Sequence, residues 1–276
     1  MNLFACCAIV AAVFAFSPAR AATPAEIKLW RLDCGTIQID NLNAFSDTYA
    51  YVGRSKTLTA SCYLIKHNDA YLLWDAGLSR EDLGLPLQGK GAKGESLATT
   101  IVDQLSRLDI DKGQVKLVGI SHYHLDHTGQ AADFPDAKLL MGHGDIEALR
   151  AGANPRAKPL QHWLEGGGAL EEVNGDKDIF DDNSVVMLDL PGHTPGHHGL
   201  LVKLPHTGYV LLSGDVTHFQ ENLEQDGVPS FNSNRSQSLA SLDRFKKIGL
   251  HLHAISVIQH EPNDVAKLAK FPDFVW

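Results

Sequence analysis

Short apolar runs, rich in β-branched and aromatic residues and bounded by polar or glycine-containing turns, recur along this chain. Ile27–Leu32, Ser61–Ile65, Tyr71–Asp75, Val115–Ser121, Ala137–Met141, Ser184–Leu190, Gly199–Leu204, Tyr209–Gly214 and Ala254–Ile258 read as strands. Between them lie helical segments at Ser96–Leu108, Asp145–Arg150, Ser236–Ile248 and Asn263–Lys270. The first carries Leu97, Ile101, Leu105 and Leu108 near helical spacing. The short connection His67-Asn68-Asp69 between two of the runs predicts a hairpin rather than a crossover. Hairpins mixed with helices predict an α/β fold in which two mixed β-sheets pack together between outer helices, an αββα sandwich. Leu83 to Gly94 and Gly152 to Gly168 are rich in Gly, Pro or Lys and read as insertions, either lids or tolerated surface loops.

The N-terminus changes which residues belong to the working protein. Leu3 to Phe16 is apolar and too short to cross a bilayer comfortably, and Ala19-Arg20-Ala21 offers a small-x-small cleavage pattern. Residues 1–21 are therefore expected to be a signal peptide, leaving one domain over 22–276 that is periplasmic or secreted. A lipoprotein signal around Cys6 is the rival, but Cys6 sits too early to leave an apolar segment before it. Removing Arg20 with the leader takes the net charge from −9 to −10. That acidity argues against a nucleic-acid partner and against electrostatic binding to anionic membranes; stable membrane insertion is not expected, and a homodimer stays open. Cys34 and Cys62 read first as two buried apolar thiols, with a disulfide as the alternative in an oxidising compartment.

The densest chemistry is His122-Tyr-His124-Leu-Asp126-His127, immediately after the apolar run Val115–Ile120. Two imidazoles two positions apart on an extended segment can face one cation. Asp126 and His127, past the bend, can face a second, and such a mixed nitrogen and oxygen shell leaves room for water. Further candidate ligands fall at matching places: His193 after Val185–Leu190, Asp215 after Tyr209–Leu212, and His260 after Ala254–Ile258. Four strands thus end in metal-binding residue types at what should be one edge of the sheets.

These residues resemble the metallo-β-lactamase superfamily, whose HxHxDH signature is present as His122 to His127. The resemblance runs from Trp74-Asp75-Ala76-Gly77 to His260. It implies His122, His124 and His193 around a first metal, Asp126, His127 and His260 around a second, and Asp215 bridging both. Two divalent ions are implied, with zinc favoured although Mn, Fe and Co accept the same ligands. Asp75 matches an aspartate that supports the site from behind.

The Trp-Asp-Ala-Gly, Gly-His-Thr-Pro-Gly-His and Ser-Gly-Asp segments look most like the N-acyl-homoserine lactonases, which open the lactone ring of quorum-sensing signals. The expected substrate is thus a small lactone or ester. Typical β-lactamases of the superfamily lack the bridging aspartate, so Asp215 weighs against that activity. A β-lactamase or an aryl-ester or organophosphate hydrolase remains the alternative, and a redox role would need a flavin module for which the chain has no room. Where many lactonases carry a tyrosine after the bridging aspartate, this chain has His218, expected to help stabilise an oxyanion. Asp126 is expected to take a proton and pass it to the leaving alkoxide. Phe45, Tyr49, Tyr51, Trp163, Phe219 and Phe231 are candidates for an acyl pocket, though aromatics at such places more often pack in the core. His197 and His198 lie near the site without matching a ligand, and His143, His162, His251 and His253 read as ordinary polar residues.

Overall fold

The computed structural model describes residues 25–276 apart from 90, 91 and 153, so the expected signal peptide lies outside the described residues. Two sheets carry the fold. The first orders its strands β4 (Glu95–Ser96), β1 (Ile27–Ile39), β2 (Lys56–His67), β3 (Ala70–Trp74), β5 (Val115–Ile120), β6 (Lys138–Gly142) and β7 (Leu170–Val173). Its β4-β1-β2-β3 half is antiparallel and its β3-β5-β6-β7 half parallel. The second sheet runs β12 (Ile255–Val257), β11 (Gly208–Leu212), β10 (His198–Leu204), β9 (Val185–Asp189) and β8 (Lys177–Asp178), with only β11 and β12 parallel.

Side-chain alternation explains why the two sheets stack. On β3, Leu72 and Trp74 point into a central layer with Leu140, Met187, Leu200, Val210 and Leu212 of both sheets. Leu73, between them, points outward into a second layer with Ile101, Leu105, Ile146 and Trp163. The helices supplying that second layer are α1 (Ile101–Ser106), α3 (His143–Arg150) and α4 (Gln161–Leu164). On the far side, Leu242 and Phe245 of α6 (Arg235–His251) cover Leu188, Leu190 and Leu211. Strands buried on both faces have no polar side, which is why they read as unbroken apolar runs. Each such side chain removed from water contributes about 2 kcal/mol. Three short helices complete the chain: α2 (Leu125–Thr128), α5 (Gln220–Gln225) and α7 (Pro262–Val265). Among the described residues no helix is long and apolar enough to cross a membrane.

The expected sandwich and the β2–β3 hairpin are present, with Asn68 and Asp69 alone between Lys66↔Tyr71 and His67↔Ala70. Several boundaries differ. β1 continues to Ile39 through a register shift between Asp33 and Thr36, which breaks the alternation that marks a strand. The helix expected from Ser96 starts at Ile101, because Ser96 pairs with Thr36 and Thr100 makes a capping box with Asp103. Gly152 to Gly168 is no loose loop: Leu160 and Trp163 are buried, and the Trp163 indole N–H donates to Ala137 O at 2.9 Å. Trp163 is therefore core, not acyl pocket. Cys34 and Cys62 form a disulfide between β1 and β2, which corrects the reading of them as free thiols.

Candidate metal centre

Every candidate ligand sits just past the end of a strand, at the edge where the two sheets meet. The segment after β5 carries His122 and His124 and continues into α2 with Asp126 and His127; the loop after β9 carries His193, the turn after β11 Asp215, and the segment after β12 His260. Apolar strands fix these ends, so polar side chains far apart in sequence converge. His193 Nε2 lies 3.1 Å from His122 Nε2 and 3.0 Å from His124 Nδ1. Asp126, His127 and His260 form a second group beside it.

Asp215 stands between the groups and shares itself by oxygen. Its Oδ2 is 3.3 Å from His193 Nε2 and 3.6 Å from His122 Nε2. Its Oδ1 is 3.0 Å from His260 Nε2 and 3.3 Å from His127 Nε2. Asp126 Oδ2 lies 3.5 Å from His260 Nε2 and 3.6 Å from His127 Nε2.

The outer ring nitrogens decide what these groups can hold. His193 Nδ1–H donates to Asn232 Oδ1 (2.8 Å), His260 Nδ1–H to Thr59 O (2.8 Å) and His127 Nδ1–H to Asp75 Oδ2 (2.9 Å). With those protons turned outward, each neutral ring would turn its Nε2 lone pair inward, toward other ring nitrogens and carboxylate oxygens. Among the described residues, His127 Nε2 and Asp215 Oδ1 are buried without a hydrogen-bond partner. A cluster of acceptors facing acceptors is reconciled by cations, and nitrogen and oxygen donors of this kind suit zinc. The residues therefore fit two divalent ions.

Electrostatics separates the two groups. Burial holds the His122 and His193 rings well below their ordinary protonation range and takes His124 down to about 4, so all three are neutral ligands at pH 7. Burial also acts against His127, but Asp215, Asp126 and Asp75 outweigh it and raise its pKa well above the usual value. His260 is raised in the same way, burial being overcome by Asp215. Burial alone would raise Asp215; the rings of His260, His218, His127 and His122 hold it well below the carboxylate range instead.

Three residues behind the ligands carry more than the sequence discloses. Asp75, expected as a support, accepts from Ser121 N (2.7 Å) and Ser121 Oγ (3.0 Å) as well as from His127. It does so from a left-handed backbone (φ 59°), a strained conformation that clusters at functional sites. His197, near the site but not a matched ligand, donates its Nδ1–H to Leu190 O (2.9 Å), and its Nε2 accepts the Asp215 N–H (2.7 Å). Burial takes its pKa to about 3, so the acceptor lone pair is always available. A Cβ on Gly214 (φ 51°) would lie 2.5 Å from His197 Nε2, so only glycine lets the ring approach that backbone. Asp145, read only as the start of a helix, is fully buried and accepts from Thr194, Gly196 and Tyr123. Nothing local marks His197 or Asp145, because their partners are distant loops.

The centre opens into a hollow of about 180 Å³ lined by Phe45, His124, Asp126, His218, Phe231 and His260, among others. Phe45 and Phe231 are thus placed at the site. Tyr51 and Phe219 pack fully buried behind Phe45, and Tyr49 is 76% exposed. His218 reaches the centre, with Nε2 3.1 Å from Asp215 Oδ2, while its buried Nδ1 has no partner. His198 bonds Gly196 O and Gly175 O away from the ligands, and His143 pairs with Glu172.

Residues 56–251 match the family model of the metallo-β-lactamase superfamily, and the chain belongs to that superfamily. It is 28% identical over 272 residues to the N-acyl homoserine lactonase AttM of Agrobacterium fabrum, covering 90% of this chain and 98% of that one. An N-acyl homoserine lactonase of Bacillus cereus is 26% identical over 258 residues, with the same coverage. Among solved structures, a quorum-quenching N-acyl homoserine lactone lactonase superposes with TM-score 0.76 at 22% identity, over 92% of this chain and 99% of that one. Fold, ligand set and relatives together make the chain a metal-dependent hydrolase.

Proposed function

We propose that the chain opens the lactone ring of N-acyl-homoserine lactones at a two-metal centre, with zinc in both positions. The observation carrying this reading is Asp215, whose two oxygens turn to two separate ligand groups. The relatives support the substrate class, since they are lactonases by name over nearly their whole length. Two cations held there would supply Lewis acidity toward the ester carbonyl and an acidified water.

The chain's own residues then have distinct tasks. Asp126, whose side chain is 22% exposed, is a carboxylate open to the hollow; it takes a proton from the attacking water and returns it to the leaving alkoxide. His218 borders both the hollow and Asp215. Its Nε2, 3.1 Å from Asp215 Oδ2, is the ring edge from which an N–H can be presented to a developing oxyanion. Phe45 and Phe231 exclude water above the reacting ester.

The test is ring opening followed by mass spectrometry, on acyl-homoserine lactones of several chain lengths, a simple lactone, a cephalosporin and an aryl phosphotriester. The highest kcat/KM is expected on the acyl-homoserine lactones. Dominant turnover of the cephalosporin or the phosphotriester would sink the reading. We also propose export, on the leader pattern of residues 1–21 and the Cys34–Cys62 disulfide, which suits an oxidising compartment. N-terminal sequencing of the mature protein from its native host should then begin at Ala22.

A further inference from the structure

The first ligand triad comes from two loops that no strand pairing joins. His122 and His124 flank Tyr123 after β5, and His193 precedes Thr194 after β9. One buried side chain ties the two together. Asp145 Oδ2 accepts from the Tyr123 N–H at 3.2 Å and from the Thr194 hydroxyl at 2.9 Å, while Oδ1 accepts from the Gly196 N–H at 2.7 Å. Its exposure is nil, and among the described residues no Lys, Arg or His pairs with it. Burial pushes its carboxyl up to about 7, against the pull of those three donors.

A carboxylate held this way is costly unless its geometry matters, and the surrounding backbone is shaped for the same contact. The start of α3 meets the His193 loop main chain to main chain. A Cβ on Gly142 would fall 1.9 Å from Gly196 O, and one on Gly144 would fall 2.9 Å from Pro195 C. A Cβ on Gly196 would fall 2.4 Å from Asp145 N. The glycines allow the loops to close, and Asp145 fixes where they stop. The second triad does not depend on this joint, since Asp75 holds His127 and Thr59 O holds His260.

We propose that Asp145 is the positioning residue of the first metal position: by joining the Tyr123 N–H to the Thr194 hydroxyl and the Gly196 N–H it sets the closure of His193 on His122 and His124, and so tunes that position's metal affinity alone. This rests on the two-metal reading above. Asp145→Asn keeps the shape but turns one acceptor into a donor that meets donors already present.

The test titrates metal-free full-length protein with cobalt(II) and follows the visible absorption bands. His193→Ala and His260→Ala identify which band belongs to which triad. In Asp145→Asn the His193-dependent band should need about ten- to a hundredfold more cobalt, the usual scale for residues that orient a metal ligand. The His260-dependent band should shift less than about threefold. Thr194→Val, which removes one donor only, should give a smaller loss of the same sign and stands in should Asp145→Asn fail to fold. Equal weakening of both bands, or no change in either, would overturn the proposal. A wild-type protein taking up a single equivalent would end the two-metal reading. If that equivalent were the His193-dependent one, its behaviour in Asp145→Asn would still decide the role of Asp145. If it were the other, both ideas would fall.

Discussion

The two candidate ligand triads flank one aspartate but are built on different plans. His122, His124 and His193 are all imidazole, two of them buried and His124 partly so, and all are driven toward the neutral form by burial. Asp126, His127 and His260 include a carboxylate, and their rings are pulled the other way by Asp126, Asp215 and Asp75. The supports differ as well. The first triad is assembled across two loops through Asp145, whereas in the second Asp75 bonds His127 directly and a main-chain carbonyl orients His260. The first position thus depends on loop closure, and the second on charge. A cation in the second position would face more negative charge, and Asp126 of that triad also lines the hollow.

The most damaging change removes what the halves share. Asp215→Asn leaves one oxygen to serve two groups, so protein purified with zinc should carry clearly fewer than two ions per chain. Activity should fall at least about a hundredfold, the scale of losing one preorganised electrostatic group. Full activity with two ions, read by elemental analysis, would remove the bridge from the argument. Asp75→Asn aims at the second triad only. It should weaken the His260-dependent metal position about ten- to a hundredfold and spare the other, the mirror image of the Asp145 experiment. A loss shared equally by both positions would erase the contrast between them.

Next in size is His218→Ala. Because His218 touches Asp215 but belongs to neither triad, both ions should remain while kcat/KM falls about tenfold, or roughly 1.4 kcal/mol. Metal loss of the same extent would instead make His218 part of the ligand framework.

The contrast between the triads also shows what a sequence discloses. All seven candidate ligands were legible because they follow apolar strands, and such a strand announces itself in the sequence without any partner. The short strands β4, β7 and β8 were not, since Glu95–Ser96, Leu170–Val173 and Lys177–Asp178 carry little apolar signal and pair at edges. Asp145 and His197 were missed for another reason. Asp145 acts on residues 49 and 51 positions away, and His197 on one 18 away, so their meaning exists only after the sheets stack. The disulfide depended likewise on β1 and β2 pairing with Leu32 opposite Cys62. Trp163 misled because an aromatic in a proline- and glycine-rich stretch looks like a lid until Ala137 O takes its indole proton.

The smallest expected effect isolates the charge of Asp145 from its hydrogen bonds. Its folded pKa is raised to about 7 from the ordinary 3.8, so the folded chain holds that proton more tightly than the unfolded chain. Stability from this group is therefore fully present below about pH 3.8 and is lost as pH rises toward and through 7. Asp145→Asn carries no such proton. In metal-free protein the melting temperature of wild type relative to Asp145→Asn should be higher at pH 5 than at pH 8, with the other titrating groups cancelling in the difference. A difference that is flat with pH would mean that the loop donors compensate the buried charge completely. The closure of the first triad would then be held at no electrostatic cost, and Asp145 would resemble Asp75 more closely than the two triads' construction implies.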